Sequence, residues 1–246
     1  MLSMSLLFLL VTLGALLTSL TGLGGGTLIL AGLLLFFPPE ISIPLHSFTQ
    51  FSANGLRTGL FFKHVNWKVV AAYGLLMLPS TWVAAEIFHL VNPSVLKLIV
   101  GVFILVSIIP WKIKPSGEPE RKTFVILGAL SGFMGVFVGA IGPAVVPFFN
   151  RLKLNRDGIL STKSAGQMVL QLSKIIAFTG AAGVNFMAMK DHIGILVSGT
   201  LLGVILSIPL SKKISDQRFS VVVNLLLGLI SIKVLYEGVR ELFFSA

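Results

Sequence analysis

Two sets of polar residues recur at one spacing in a chain that is otherwise apolar. Ser47, Gln50, Asn54 and Arg57 stand at intervals 0, 3, 7 and 10, and Ser164, Gln167, Gln171 and Lys174 repeat those intervals. On a helix each set occupies one face. Each offers hydroxyl and amide hydrogen-bonding groups and ends in a cation. A cation within an apolar segment costs about 2.5–3.5 kcal/mol on insertion scales and marks a functional site by default. The chemistry on offer is capture of an anion. Structural readings compete: Arg57 lies about two turns from a basic loop, within snorkelling reach of the interface, and serines and amides also hydrogen-bond between neighbouring helices.

Ahead of each stripe stands a glycine or proline break: Gly22, Gly24, Gly25 and Gly26 in one case, Gly139, Gly142, Pro143 and Pro147 in the other. The segments they interrupt are too short for a comfortable crossing at about 1.5 Å per residue. A helix that begins in mid-membrane presents unpaired N–H groups and a positive dipole end, which favour an anion, and glycine lets a substrate approach the backbone. Gly24, Gly25, Gly26 and Gly142 therefore join the eight stripe residues as the candidate substrate-binding set. Close helix packing is the other use of such glycines. Lys97 and Lys233, nearer segment ends, read as interface anchors, and Glu40 and Asp157 as helix-dipole partners with proton coupling as a second role. Lys163 is placed to line the cytoplasmic mouth, and His46, which titrates near neutrality when unperturbed, is a candidate proton carrier.

Catalysis has little to work with. The chain has no cysteine, its four histidines (His46, His64, His89, His192) lack metal-ligand spacing, and its acids fall in loops or at segment ends. No enzyme activity, metal or cofactor is expected.

The elements that hold these residues must be membrane helices. Of 246 residues 55% are hydrophobic and 11% charged, with a mean hydropathy of +0.96, against about 25% charged in a soluble domain. Apolar runs give five segments before Pro115 (Met4 to Leu20, Gly24 to Phe37, Ser42 to Phe62, Trp67 to Leu90, Ser94 to Trp111). Five follow it (Phe124 to Ile141, Pro143 to Asn150, Ser164 to Gly183, Ile193 to Leu210, Phe219 to Tyr236). The first run has the length of a signal-peptide core, but no Lys or Arg precedes it, so it is expected to be a retained span. Residues 112–122, with Pro115, Gly117 and Pro119, separate a first membrane repeat (1–111) from a second (123–246).

A shift of 117 residues superimposes Gly22 on Gly139, Gly25 on Gly142, Glu40 on Asp157, Arg57 on Lys174 and Phe61 on Phe178 without a gap. Four loops, at Lys63 to Lys68, Lys112 to Lys122, Arg151 to Lys163 and Lys212 to Arg218, hold 13 of the 19 Lys and Arg. If every segment crosses, all four lie on one face, which the positive-inside rule makes cytoplasmic. The net charge of +10 is thus a topology signal, and no nucleic-acid partner is expected. The fold class read here is an all-α polytopic integral membrane protein of two inverted-topology repeats, about five segments each, with short Gly/Pro-broken helices.

The stretch Thr21-Gly22-Leu23-Gly24-Gly25-Gly26 after a first span, the region from Arg57 to Asn66-Trp67, and the second copy around Val138 to Pro143 resemble the sulfite exporter TauE/SafE family, also called the four-toluene-sulfonate uptake permeases. The resemblance covers nearly the whole chain. It implies a secondary transporter of sulfite, sulfoacetate or other sulfonates in the bacterial inner membrane. Its partners would be the anion, membrane lipid and, in one form of coupling, protons. Thiosulfate importers of a related branch use cysteines along the path, so a plain electrostatic anion site is expected in this cysteine-free chain. The second copy departs from the triple glycine, with Ile141 and Pro143 opposite Gly24 and Gly26. An inside-negative potential drives anions outward by about 2.3 kcal/mol per charge per 100 mV. Export by alternating access, driven by that potential or a proton gradient, is the reading; a passive anion channel and a non-transporting membrane subunit stand as alternatives.

Overall fold

The computed structural model describes residues 2–21, 25–109, 117–210 and 216–244, and among these every regular element is helical. In chain order they are α1 (Leu2–Thr21), α2 (Gly25–Leu33), α3 (Pro39–Leu60), α4 (Trp67–Gly74), α5 (Met77–Phe88) and α6 (Pro93–Ile108). There follow α7 (Arg121–Val138), α8 (Gly142–Phe149), α9 (Arg156–Gly180), α10 (Lys190–Leu210) and α11 (Asp216–Phe244). Among the described residues, three stretches are long and apolar enough to cross a bilayer unaided: Trp67–Phe88, Arg121–Val138 and Phe186–Pro209. At 22 and 25 residues α3 and α9 have the length, but the polar stripes dilute their hydropathy.

Large apolar side chains cover the outside, Leu225 at 63%, Leu229 at 67% and Ile232 at 60% exposure among them, while Ser47, Gln50, Asn54, Gln167, Gln171 and Lys174 are buried. An apolar surface on that scale belongs against lipid. The protein is an all-α integral membrane protein.

The two short helices turn back. With 9 and 8 residues, α2 and α8 are about 12–14 Å long, under half of a ~30 Å hydrocarbon core. A Cβ on Gly14 would meet Ile29, and one on Gly32 would meet Leu10, so α2 runs antiparallel to α1. At the α7–α8 reversal Gly139 has φ 73° and ψ −48°, and the Ala140 N–H donates to the Val138 carbonyl at 2.8 Å. That is a positive-φ γ-turn, a conformation strained for any residue with a Cβ.

Helix packing follows a crossed pattern. α1 packs on α10, and α7 packs on α4 and α5; α3 packs on α9 and α6 on α11. Small residues at a four-residue spacing make the first two contacts close. Gly128 and Gly132 of α7 lie against the carbonyls of Tyr73 and Met77, and Gly199 and Gly203 of α10 lie against those of Phe8 and Thr12. In both pairs the contacts advance together, so these helices are parallel. α3 and α9 are antiparallel: Gly55 meets Met168, and the Asn66 N–H, beyond α3, donates to Thr162 Oγ1 at 2.9 Å. Lys97 and Lys233 join Glu237, and Lys97 also Glu241, in ion pairs at one end of the α6–α11 contact.

Three elements depart from the sequence segments, two of them for evident local causes. The fourth segment divides into α4 and α5 at Leu75–Leu76, because Pro79 lacks an N–H and its ring crowds the carbonyl four residues back, with Gly74 adjoining. α9 begins at Arg156, eight residues before the apolar run, where the Asn155 side chain caps the Gly158 N–H at 2.8 Å. α11 runs on past Tyr236 to Phe244. Asn66 and Asn185 cap the helical turns that follow them with nearly identical backbone angles, φ −83° and ψ 88° against φ −84° and ψ 88°.

Candidate functional site

The N-termini of α2 and α8, the facing sides of α3 and α9, and the C-terminal parts of α1 and α10 enclose a cavity of about 860 Å³. Antiparallel packing brings the stripes together with opposite polarity, so the Arg57 end of α3 lies beside the first turns of α9. Gln50, Asn54, Arg57, Ser164, Gln167, Gln171, Gly26 and Gly142 line the cavity. Gly25 opens α2, and Gly24 lies outside the described residues. Ser47 is fully buried, its hydroxyl donating to the Ile43 carbonyl at 3.2 Å.

Lys174 is also fully buried and absent from the cavity wall. Its Nζ donates at 3.0 Å to the carbonyl of Gly139, the γ-turn residue. The other stripe cation is placed differently: half-buried Arg57 lines the cavity and donates to Ser19 Oγ at 2.6 Å. Its neighbours on the wall are Lys163, Arg156 and a single acid, Asp157, so three cations face one carboxylate. Exposed Leu60, Arg156 and Ile208 mark the open end of the cavity.

The inner wall is rich in polar atoms that the protein leaves unused. Thr27 Oγ1, His46 Nδ1, Gln50 Nε2, Ser164 Oγ and Gln171 Oε1 are buried with no hydrogen-bond partner, and all five residues line the cavity. A buried polar group without a partner costs about 1–3 kcal/mol, so such a concentration on one wall suits a polar ligand. Other groups are committed. The Asn54 amide donates to the Gln50 carbonyl at 2.8 Å, and His46 Nε2 bonds the Gly26 carbonyl at 2.8 Å, which assigns the ring proton to Nε2. No side chain caps the N-terminus of α8, leaving the positive end of that helix to the cavity.

Sequence reasoning passed over Ser19, Thr27, Ser207 and Arg156. Thr27 adjoins the glycine run and α2 places it on the wall. Ser207 sits singly in an apolar run, and Ser19 lies between Thr18 and Thr21 with no counterpart at the stripe spacing; only the packing of α1 and α10 brings them to the cavity. Among the described residues no group of three or more His, Asp or Glu is arranged to hold a metal ion.

Comparison with known proteins agrees in kind. A curated protein from Cupriavidus necator named as a probable sulfite/organosulfonate exporter TauE is 28% identical over 95 residues. That alignment covers 36% of this chain and 37% of the relative, little more than a third of the relative's length. No solved structure matches the chain. The family model described as Sulfite exporter TauE/SafE matches residues 7–234. That span takes in both helix breaks and both polar stripes, and the chain belongs to the sulfite exporter TauE/SafE family.

Proposed function

We propose that the protein is a multi-pass transporter, not an enzyme, that carries small sulfur-containing or organic anions such as sulfite, sulfoacetate or other sulfonates across the bacterial inner membrane. The observation that carries this reading is the cavity wall. Two half-helix N-termini, three cations against one acid, and unpartnered donors on Thr27, Gln50 and Ser164 converge there. Backbone dipole ends and fixed N–H and O–H groups supply the electrostatics that an oxyanion needs once its water is stripped. Family membership and the name of the Cupriavidus necator relative support sulfur oxyanions as the class.

The two repeats, residues 1–111 and 123–246 about the linker 112–122, are proposed to be inverted. The reciprocal pairs α1 with α10 and α7 with α4–α5, the self-paired α3–α9 and α6–α11, and the matched Asn66 and Asn185 turns support that symmetry. With the basic loops cytoplasmic, the open end at Leu60, Arg156 and Ile208 faces inward. Export then begins by loading from this side, and the inside-negative potential favours net outward transfer of the anion's charge over the transport cycle.

The test is flux in liposomes. Purified protein should give saturable efflux of radiolabelled sulfite or a sulfonate, stimulated by anion on the opposite side and by an inside-negative potential. Arg57→Gln should lose at least tenfold in flux with its fold intact. No flux for any anion of that class would overturn the proposal, and large non-saturating currents would replace the carrier with a channel.

A further inference from the structure

The cavity sorts the matched positions of α3 and α9 into two kinds. The shift of 117 residues sets His46 on Lys163, Gln50 on Gln167 and Asn54 on Gln171, and both members of each pair line the wall. Nearer the mouth one member alone does. Arg57, Leu60, Phe61 and Ser164 are on the wall, whereas their counterparts Lys174, Ala177, Phe178 and Ser47 are not. Those counterparts are all fully buried, Ala177 at 0% against 52% exposure for Leu60. Phe178 lies in a core cluster with Phe88, the two rings edge-on at 5.2 Å. Because α3 and α9 are antiparallel, these residues sit on the far side of the amides from the open end: Ser47 precedes Gln50 on α3, and Lys174, Ala177 and Phe178 follow Gln171 on α9. The amides thus occupy the centre of a pseudo-twofold arrangement. One side is an open mouth, and the matching positions on the other are packed shut.

The closed side keeps a charge. Lys174 donates to the carbonyl of Gly139, which ends α7, and Arg57 donates to Ser19 in the last turn of α1. Each stripe cation is therefore tied to the end of the helix before the break in its own repeat. Among the described residues neither forms an ion pair with a carboxylate. Burying an ammonium without a counter-ion is a poor way to fill a core, but it suits a group that an anion reaches in a second state. We propose that the outward-open state is this structure with the two repeats exchanged, and that Lys174 is the cation of its external anion site. In that state Lys174 moves onto the wall, Ala177 and Phe178 line the mouth, and Arg57, Leu60 and Phe61 pack shut. The central amides belong to both states, so the anion stays between them while the mouths alternate. The inference rests on the transporter reading and on the inverted repeats proposed above.

The chain has no cysteine of its own, so single cysteines report access cleanly. Leu60→Cys and Ala177→Cys are each treated with a membrane-impermeant maleimide in right-side-out and in inverted membrane vesicles. Leu60→Cys should label at least tenfold faster from the cytoplasmic face, and Ala177→Cys at least tenfold faster from the outer face. The second arm is the sided KM for sulfite or a sulfonate in counterflow. Lys174→Met should raise it about tenfold at the outer face and leave it within about threefold at the inner one, and Arg57→Gln should do the reverse; a merely structural role for Lys174 would move both faces alike. Flux by the wild type with Ala177→Cys unreactive from outside, both cysteines labelled from the same face, or a KM raised equally on the two faces of Lys174→Met would overturn the inference and leave the function standing. Absence of flux by the wild type overturns the function and this inference together. Should Ala177→Cys fail to fold, the sided KM of Lys174→Met gives the same decision.

Discussion

Alanine at Gly139 and at Gly142 should part company, although the two glycines stand three residues apart in one break. Gly139 sits at φ 73°, where a Cβ costs about 1–3 kcal/mol in backbone strain. That Cβ would also come within 2.5 Å of Leu30 Cδ2 and 3.2 Å of its Cδ1. Leu30 is fully buried, so relief requires repacking, another 1–3 kcal/mol or so. Together Gly139→Ala should lose about 2–6 kcal/mol. At roughly 2–4 °C per kcal/mol for a chain of this size, its melting temperature should fall by at least about 4 °C. Gly142 has nothing within 4 Å of a Cβ, so Gly142→Ala should stay within about 2 °C of the wild type. Thermal unfolding of the detergent-purified proteins, followed by tryptophan fluorescence, reads both. Equal melting temperatures for the two variants would refute the γ-turn argument. Greater loss at Gly142 would place the tight turn elsewhere.

Three further outcomes are expected. Lys174→Met should leave the anion Kd within about threefold of wild type but slow transport, because its ammonium holds the Gly139 carbonyl and not the cavity wall; a tenfold weaker Kd would move Lys174 into the binding site. Gly26→Ala puts a Cβ 3.1 Å from Gln50 Oε1, which pushes the amide aside by a few tenths of an ångström. Calorimetry should show several-fold weaker anion binding with little change in melting temperature, and unchanged affinity would remove Gln50 from the ligand shell. Asn155→Ala removes the cap of α9 and should cost about 1 kcal/mol, or roughly 2–4 °C in melting temperature.

Apolar runs and their Gly/Pro boundaries made the all-helical membrane fold legible from the letters, because lipid leaves the backbone few other ways to satisfy itself. The Leu75–Leu76 break had its signal too, in Gly74 and Pro79, masked by an otherwise unbroken apolar run. The start of α9 at Arg156 was hidden for the opposite reason: a helix end that leaves the membrane carries charge and reads as loop. Spacing of 0, 3, 7 and 10 says which side chains share a helical face. It says nothing of where along that face a cavity ends, and so it could not separate Arg57, on the wall, from Lys174, behind it. The Tyr73–Gln167 contact joins residues 94 apart in sequence and exists only through the packing of α4 against α9.

The crossed contacts between α1 and α10, and between α7 and α4–α5, have a consequence for biogenesis. The glycine-lined seat for α1 belongs to α10, a helix some 170 residues further along the chain. At about 5–20 residues per second the ribosome takes roughly ten to thirty seconds to deliver it. During that interval the first helix waits in the bilayer with its docking face against lipid or an insertion factor, and the first half has no finished interior of its own. Two fragments divided at the linker, each inert alone, should therefore assemble when synthesised together.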